Sequence, residues 1–136
     1  MLFRSKGSLL SFHPFIQYNN VSNFLLVLNL QDKPSIETKI LEIFDSVSLE
    51  KLGESELLTN SVSRINLDQF KISPRSLPIM TCKNMAGIPF GLGVSDDNKM
   101  LSLEHTHPPA SFTLFGNRFK MQSEIKRKWF EKISNV

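Results

Sequence analysis

The chain is poor in cysteine and has no long apolar run. Cys82 is the only cysteine among 136 residues, so no disulfide can form within the chain and no zinc cage of several thiolates can be assembled. The longest uninterrupted apolar run is Phe24 to Leu28, five residues, against about 20 in a membrane-spanning helix. The sequence therefore predicts a protein without a transmembrane segment, in a reducing compartment.

Catalytic and nucleotide-binding signatures are also lacking. Gly87, Gly91 and Gly93 have the wrong spacing for a dinucleotide fingerprint or a phosphate loop. Cys82 lies in an apolar strand pattern, which is typical of a structural thiol rather than a nucleophile. We expect a non-enzymatic protein without a cofactor, although a site assembled from scattered residues stays open.

The composition nevertheless predicts a folded chain. Hydrophobic residues make up 40% and charged residues 21%, with eleven Phe, which is too apolar for a largely disordered protein. The net charge of +3 is unevenly distributed: residues 1–31 are basic, residues 32–117 are mildly acidic and residues 118–136 are strongly basic. This pattern argues against a protein that coats nucleic acid with a uniformly basic surface.

Residues 1–18 contain Arg4, Lys6 and several Ser but no acidic residue. This composition is that of a flexible N-terminal segment or of a mitochondrial presequence, with a first strand near residues 11–18. Residues 19–136 are predicted to form a single domain. We expect a location in the cytosol or nucleus, with the mitochondrion as the alternative.

In the first half of that domain, the apolar residues 23–30 predict a strand buried on both faces at the centre of a sheet. Ser35 can cap a following helix, in which Ile36, Ile40, Ile43, Phe44 and Val47 would share one face. The β-branched Ile residues leave a strand open as an alternative. A second short helix is predicted around residues 54–62.

The second half is predicted to be richer in strands. Residues 77–83 form one strand, and residues 88–94 and 99–106 form a hairpin around the turn signal at 95–98. Because Pro89, Gly91 and Gly93 leave one face of the strand 88–94 bare, we expect that strand at a sheet edge or against another backbone. Residues 111–115 are expected to add a short strand.

The last predicted element is an amphipathic basic helix over residues 118–133. Met121, Ile125, Trp129 and Ile133 recur every four residues and predict its packed face. The predicted fold class is thus α+β. We expect an antiparallel or mixed sheet of about four to five strands, a helix after the first core strand and this C-terminal helix.

Potential metal ligands cluster only at Glu104 to His107. In an extended strand, His105 and His107 would project from the same face and could share a metal, which suggests a metal-dependent enzyme as an alternative function. A third ligand would have to be His13, Cys82 or an acid brought in by the fold. Because Leu101 and Leu103 occupy that same face, we favour a hydrogen-bonded His at the edge of the core.

The basic helix offers a second candidate site. Phe119, Arg127, Lys128 and Phe130 are candidates for binding a partner, because they lie away from the main apolar stripe. Nucleic-acid binding through the same basic side chains is a less favoured alternative. The leading hypothesis is a protein–protein interaction module, such as an adaptor or assembly chaperone of a multisubunit complex, with homo-oligomers also open.

Overall fold

A computed structural model describes residues 9–12, 20–73, 75–85, 87–105 and 116–134. The chain divides into two compact units, Met1–Thr106 and His107–Val136. The described strands and a short 3-10 helix, Leu67–Gln69, belong to the first unit, and the one described α-helix belongs to the second.

The described strands of the first unit form two antiparallel sheets of four strands each. The elements are β1 (Leu9–Phe12), β2 (Val21–Leu28), β3 (Thr38–Asp45), β4 (Lys51–Leu58), β5 (Val62–Asn66), β6 (Pro78–Cys82), β7 (Ile88–Ser95), β8 (Leu101–His105) and the helix α1 (Arg118–Ser134). The first sheet has the order β1-β6-β3-β4, and the second sheet has the order β5-β2-β7-β8.

The core lies between these two sheets. Its buried residues come from both, with Leu41, Ile43 and Met80 from the first sheet and Leu25 and Val27 from the second. All five side chains are at most 1% exposed. The first unit is therefore a β-sandwich, in which each sheet turns one apolar face toward the other.

The α+β prediction, with a single sheet and a helix after the first core strand, is wrong. In the described residues the first unit holds eight strands in two sheets. The only α-helix described is α1, close to the predicted bounds of 118–133. The strands β2 and β6 and the hairpin β7–β8 also lie near their predicted positions. Residues 111–115 lie outside the described part of the chain.

The predicted helix after Ser35 is the strand β3. Leu41 and Ile43 are fully buried, as alternate positions of a strand facing the core. Ile36, Ile40 and Val47, which the helical pattern placed on the packed face, are 69%, 46% and 65% exposed. The β-branched residues thus follow their preference for a pleated surface.

The predicted helix at residues 54–62 is the end of β4, a turn and the start of β5. Asn60 takes a left-handed conformation at φ 52°, which Asn tolerates in tight turns. Gly53 lies within β4 because the ring of Phe70 occupies the space of a side chain: a Cβ at Gly53 would lie 2.6 Å from Phe70 Cε1. Gly53 therefore marks the close approach of the Phe70 ring to the backbone of β4.

The expectation that β2 is buried on both faces is also wrong, although its central place in a sheet is confirmed. Asn23, Leu25 and Val27 are buried, whereas Phe24 and Leu26 are only half-buried. One side of β2 therefore faces the core and the other faces away from it.

The strand β7 is not an edge strand, because it pairs with β2 on one side and β8 on the other. Its bare face points inward: Pro89, Gly93 and Ser95 are buried. The described ladder with β8 ends at Phe90 and His105, so Pro89, which lacks an N–H, follows beyond the last pair. The apolar face of β7 consequently faces away from the core.

The predicted N-terminal segment, residues 1–18, contains the strand β1. Leu9 pairs with Cys82 of β6 and contributes to the core. Whether residues 1–18 are a presequence stays a prediction, as does the domain boundary at residue 19.

Candidate interaction surfaces

The second sheet carries a continuous apolar surface on the side that faces away from the core. Antiparallel pairing places directly opposed residues on the same face, and the registers connect Phe24 with Leu92 and Leu103, and Leu26 with Phe90. We call this surface the outer apolar face. It comprises Phe24, Leu26, Leu28, Val62, Ile88, Phe90, Leu92, Val94, Leu101 and Leu103.

Several of these side chains are strongly exposed. Leu101 is 70%, Val62 60%, Ile88 57% and Leu103 55% exposed, while Phe24 and Phe90 at the centre are half-buried. Single exposed apolar residues are ordinary on protein surfaces, but contiguous apolar patches mark binding sites. The register makes this patch contiguous across all four strands of the sheet.

The first sheet differs on its corresponding side. Leu10, Phe44 and Ile79 alternate with core residues along their strands and are nevertheless at most 7% exposed. Both faces of the first sheet are therefore buried at these positions. Ile40 and Leu58 are 46% and 41% exposed on this side, but Glu42, Glu54 and Glu56 lie beside them, so the exposed apolar residues of the first sheet do not form a contiguous face.

Charge on the outer apolar face is sparse. The guanidinium carbon of Arg64, on β5, lies 5.4 Å from the centroid of the Phe24 ring, which places Arg64 on this face in a cation–π contact. At the opposite end, the N–H of Asp96 donates to the carbonyl of Asn20 at 2.9 Å and continues the β2–β7 ladder. Asp96 lies in the turn directly after β7, at the margin of the face.

The strand β8 forms the edge of the described sheet beside this face. The N–H of Ser95 donates to the carbonyl of Met100 at 3.0 Å, and hydrogen-bonded pairs alternate along an antiparallel ladder. The main-chain groups of Leu101, Leu103 and His105 therefore point away from β7. Within the described ranges no strand pairs with that side of β8, and an unpaired edge is a template for strand addition.

The structure leaves the metal hypothesis untested. His105 ends β8, but its side chain and the whole of His107 lie outside the described residues. Among the residues that are described, no group of three or more His, Cys, Asp or Glu is arranged to hold a metal ion. Cys82, one suggested third ligand, is 2% exposed in the core, where burial raises the pKa of its thiol.

Three of the four predicted partner-binding residues on α1 have described side chains. Arg127 and Lys128 are exposed, and Nη1 of Arg127 donates to Oε1 of Glu131 at 2.7 Å. Phe130 is half-buried and lies on the less exposed side of the helix with Ile133, which is 5% exposed. The side chain of Phe119 lies outside the described residues. Whether Phe119, Arg127, Lys128 and Phe130 bind a partner stays a prediction.

The predicted packed stripe of α1 becomes more buried toward the C-terminal end of the helix. Ile133 is buried and Ile125 and Trp129 are half-buried, whereas Met121 is 39% exposed. Lys126 lies on the less exposed side, and burial lowers the pKa of its ammonium group.

Sequence reasoning missed the outer apolar face, although part of its signal is visible. The alternation of Ile88, Phe90, Leu92 and Val94 defines an apolar side of β7. Which side of a strand faces the core depends on the partner sheet, however, and the local pattern does not contain that information.

The fold and these surfaces define a two-sheet β-sandwich followed by an amphipathic helix. Comparison of the chain with protein-family models, curated proteins and solved structures finds no significant match. Among the described residues, no helix combines the length and the apolar character needed to cross a lipid bilayer.

Proposed function

We propose that this chain is a non-enzymatic protein–protein interaction module, acting as an adaptor or assembly factor, and that it binds through the outer apolar face. The observation that carries the proposal is the contiguous exposure of aliphatic side chains around Phe24 and Phe90. Interfaces commonly combine central aromatic anchors with surrounding contacts that exclude water. The outer apolar face has this arrangement.

The energy available on this face is large enough for specific binding. Full burial of one Leu, Ile or Val side chain contributes about 1.5–3 kcal/mol, and Leu101, Leu103, Ile88 and Val62 are each more than half exposed. Association costs several kcal/mol in lost freedom of motion. Covering these side chains together supplies a driving force that offsets this cost.

The buried carboxylate has a structural role, which agrees with a non-enzymatic protein. Asp45 is the only carboxylate among the buried residues of the described chain. Its oxygens accept hydrogen bonds from Val47, Ser48, Ser73 and Ser76, which join the β3–β4 turn to the segment before β6. The Asp45 carboxylate therefore connects two loops through its hydrogen bonds.

Affinity purification from native extract tests the proposal. The tagged parent should retain a partner protein in stoichiometric amount. An untagged copy of the chain itself counts as such a partner. Leu103→Glu should lose that protein because it places a charge within the face. Ile36→Glu is the matched control, since Ile36 is 69% exposed and lies outside the face. Recovery of the parent alone, or full retention by Leu103→Glu, would contradict the proposal.

For the compartment, we propose the cytosol or nucleus. The support is the buried, unpaired Cys82, which suits a reducing environment. The alternative is the mitochondrion, with residues 1–18 removed as a presequence. An N-terminal sequence of the native protein that starts near residue 19 would favour the alternative.

A further inference from the structure

Among the described side chains, the two charged groups of the outer apolar face lie toward opposite corners. Arg64 stands on β5, one edge of the second sheet, in the row of Leu26 and Phe90. Asp96 stands where β7 leaves the sheet, six positions beyond Phe90. With strands about 4.8 Å apart and a rise of about 3.4 Å per residue, the two groups are separated by about 10 Å across the strands and about 20 Å along them.

Asp96 is the acid of this corner that is available to a partner. The carboxylate of the neighbouring Asp97 is engaged within the turn. Its Oδ1 accepts from the hydroxyl of Ser95 at 2.7 Å and from the N–H of Lys99 at 3.1 Å. Asp96 is exposed. Lys99, also exposed, offsets part of the negative charge of the turn.

We propose that the outer apolar face binds a second copy of this chain in a two-fold symmetric dimer, with Arg64 of each copy against Asp96 of the other. The inference rests on the proposed function, since it names the protein that covers this face. A two-fold interface is isologous, so any contact between two different residues occurs twice. Opposite charges at opposite corners satisfy that requirement, because one axis exchanges both corners.

The apolar residues fit the same axis. Halfway between Arg64 and Asp96, the axis would run across the strands close to the row of Phe24, Leu92 and Leu103. Each side chain of this row would then face the same row of the second copy. Apolar side chains therefore meet apolar side chains at the centre, and the two charged contacts lie at the rim, where charges select the partner and its orientation.

Charge reversal tests this geometry on the full chain. By sedimentation equilibrium the parent should have twice the mass of the 15.5 kDa chain. Arg64→Glu and Asp96→Lys should each weaken the dimer on the order of tenfold, because each change turns two rim contacts from attractive to repulsive. Lys83→Glu, an exposed change in the turn after β6 on the first sheet, should leave the dimer unchanged.

Mixing the two variants gives the decisive result. In a dimer of one Arg64→Glu chain and one Asp96→Lys chain, the new Glu faces the new Lys and the native Arg64 faces the native Asp96. The equimolar mixture should recover the parent dissociation constant to within about threefold. Circular dichroism of each variant checks that the change in association does not come from unfolding.

The contrary outcomes separate this inference from the proposed function. A monomeric parent, or charge variants that weaken the dimer without recovery on mixing, would overturn the two-fold dimer. If a monomeric parent still captures a different protein and loses it with Leu103→Glu, the proposed function stands alone. If instead Leu103→Glu abolishes binding to anionic lipid vesicles and no protein is captured, both fail.

Discussion

Asp45 provides the most quantitative test of how the sandwich is held together. Its side chain is fully buried. Oδ1 accepts from the N–H groups of Val47 and Ser48 at 2.9 and 3.1 Å and from the Ser76 hydroxyl at 2.8 Å. Oδ2 accepts from the N–H of Ser73 at 2.8 Å. Replacing Asp45 therefore affects the turn after β3 and the approach to β6 at once.

The expected loss of stability follows from these contacts. A hydrogen bond to a charged group contributes about 1.5–3 kcal/mol, and deleting a buried acceptor also leaves its donors unpaired. Because part of this cost is recovered by water and by relaxation, Asp45→Ala should lower the free energy of unfolding by about 3–5 kcal/mol. Asp32→Ala, at an exposed position, should change it by less than about 0.5 kcal/mol.

The effect of Asp45 should also depend on pH. Burial by itself would raise the pKa of this carboxyl, but the hydrogen bonds from Ser73, Ser48 and Ser76 outweigh it and hold the pKa well below its usual range. A carboxyl with a depressed folded-state pKa stabilises the fold above its unfolded-state pKa of about 3.9, and this contribution is lost as the pH falls. The difference in stability between the parent and Asp45→Asn should therefore be smaller near pH 3 than at neutral pH.

Urea unfolding followed by circular dichroism measures both effects. The account predicts a large loss of stability for Asp45→Ala at neutral pH and a narrowing gap between the parent and Asp45→Asn in acid. An Asp45→Ala midpoint equal to that of Asp32→Ala would refute the structural role of this carboxylate. A gap that widens in acid would refute the direction of its pKa shift.

Two further predictions concern buried residues outside this network. Cys82 should react slowly with a thiol reagent in the native protein and rapidly in denaturant, because it is 2% exposed and burial raises the pKa of its thiol; equal rates, followed by absorbance, would contradict its place in the core. Ile133→Ala should cost about 2–4 kcal/mol because Ile133 is 5% exposed, whereas Lys128→Ala on the exposed side of α1 should cost less than about 0.5 kcal/mol. Equal urea midpoints for these two variants would show that α1 is not packed through Ile133.

The elements that sequence reasoning predicts are those whose pattern is local. The turn signal after Ser95 identifies the β7–β8 hairpin, and the spacing of the apolar residues identifies α1. The prediction for β3 fails because Ile36, Ile40 and Phe44 also match a helical period. Only packing against the partner sheet decides between a helix and a strand there. The Phe70 ring that lies against Gly53 is likewise a tertiary contact, which the local sequence does not show.

The candidate site is less predictable than the fold. The outer apolar face is assembled from four strands that are distant in sequence. Whether its residues are exposed depends on which side of the second sheet the first sheet covers. By contrast, the predicted site on α1 is a local pattern of basic and aromatic residues, which is visible in the sequence itself. The apolar alternation of β7 is visible in the sequence, but its direction is fixed only by the packing of the two sheets.

Hydroxyl-radical footprinting tests the central claim, that the outer apolar face is the binding surface, most directly. Leu101, Leu103 and Ile88 are exposed in the isolated chain, as are Ile36 and Val47 outside the face. In the native assembly, compared with the dilute chain, the account predicts loss of labelling at Leu101, Leu103 and Ile88 and unchanged labelling at Ile36 and Val47. Unchanged labelling of the face, or protection confined to Ile36 and Val47, would contradict it.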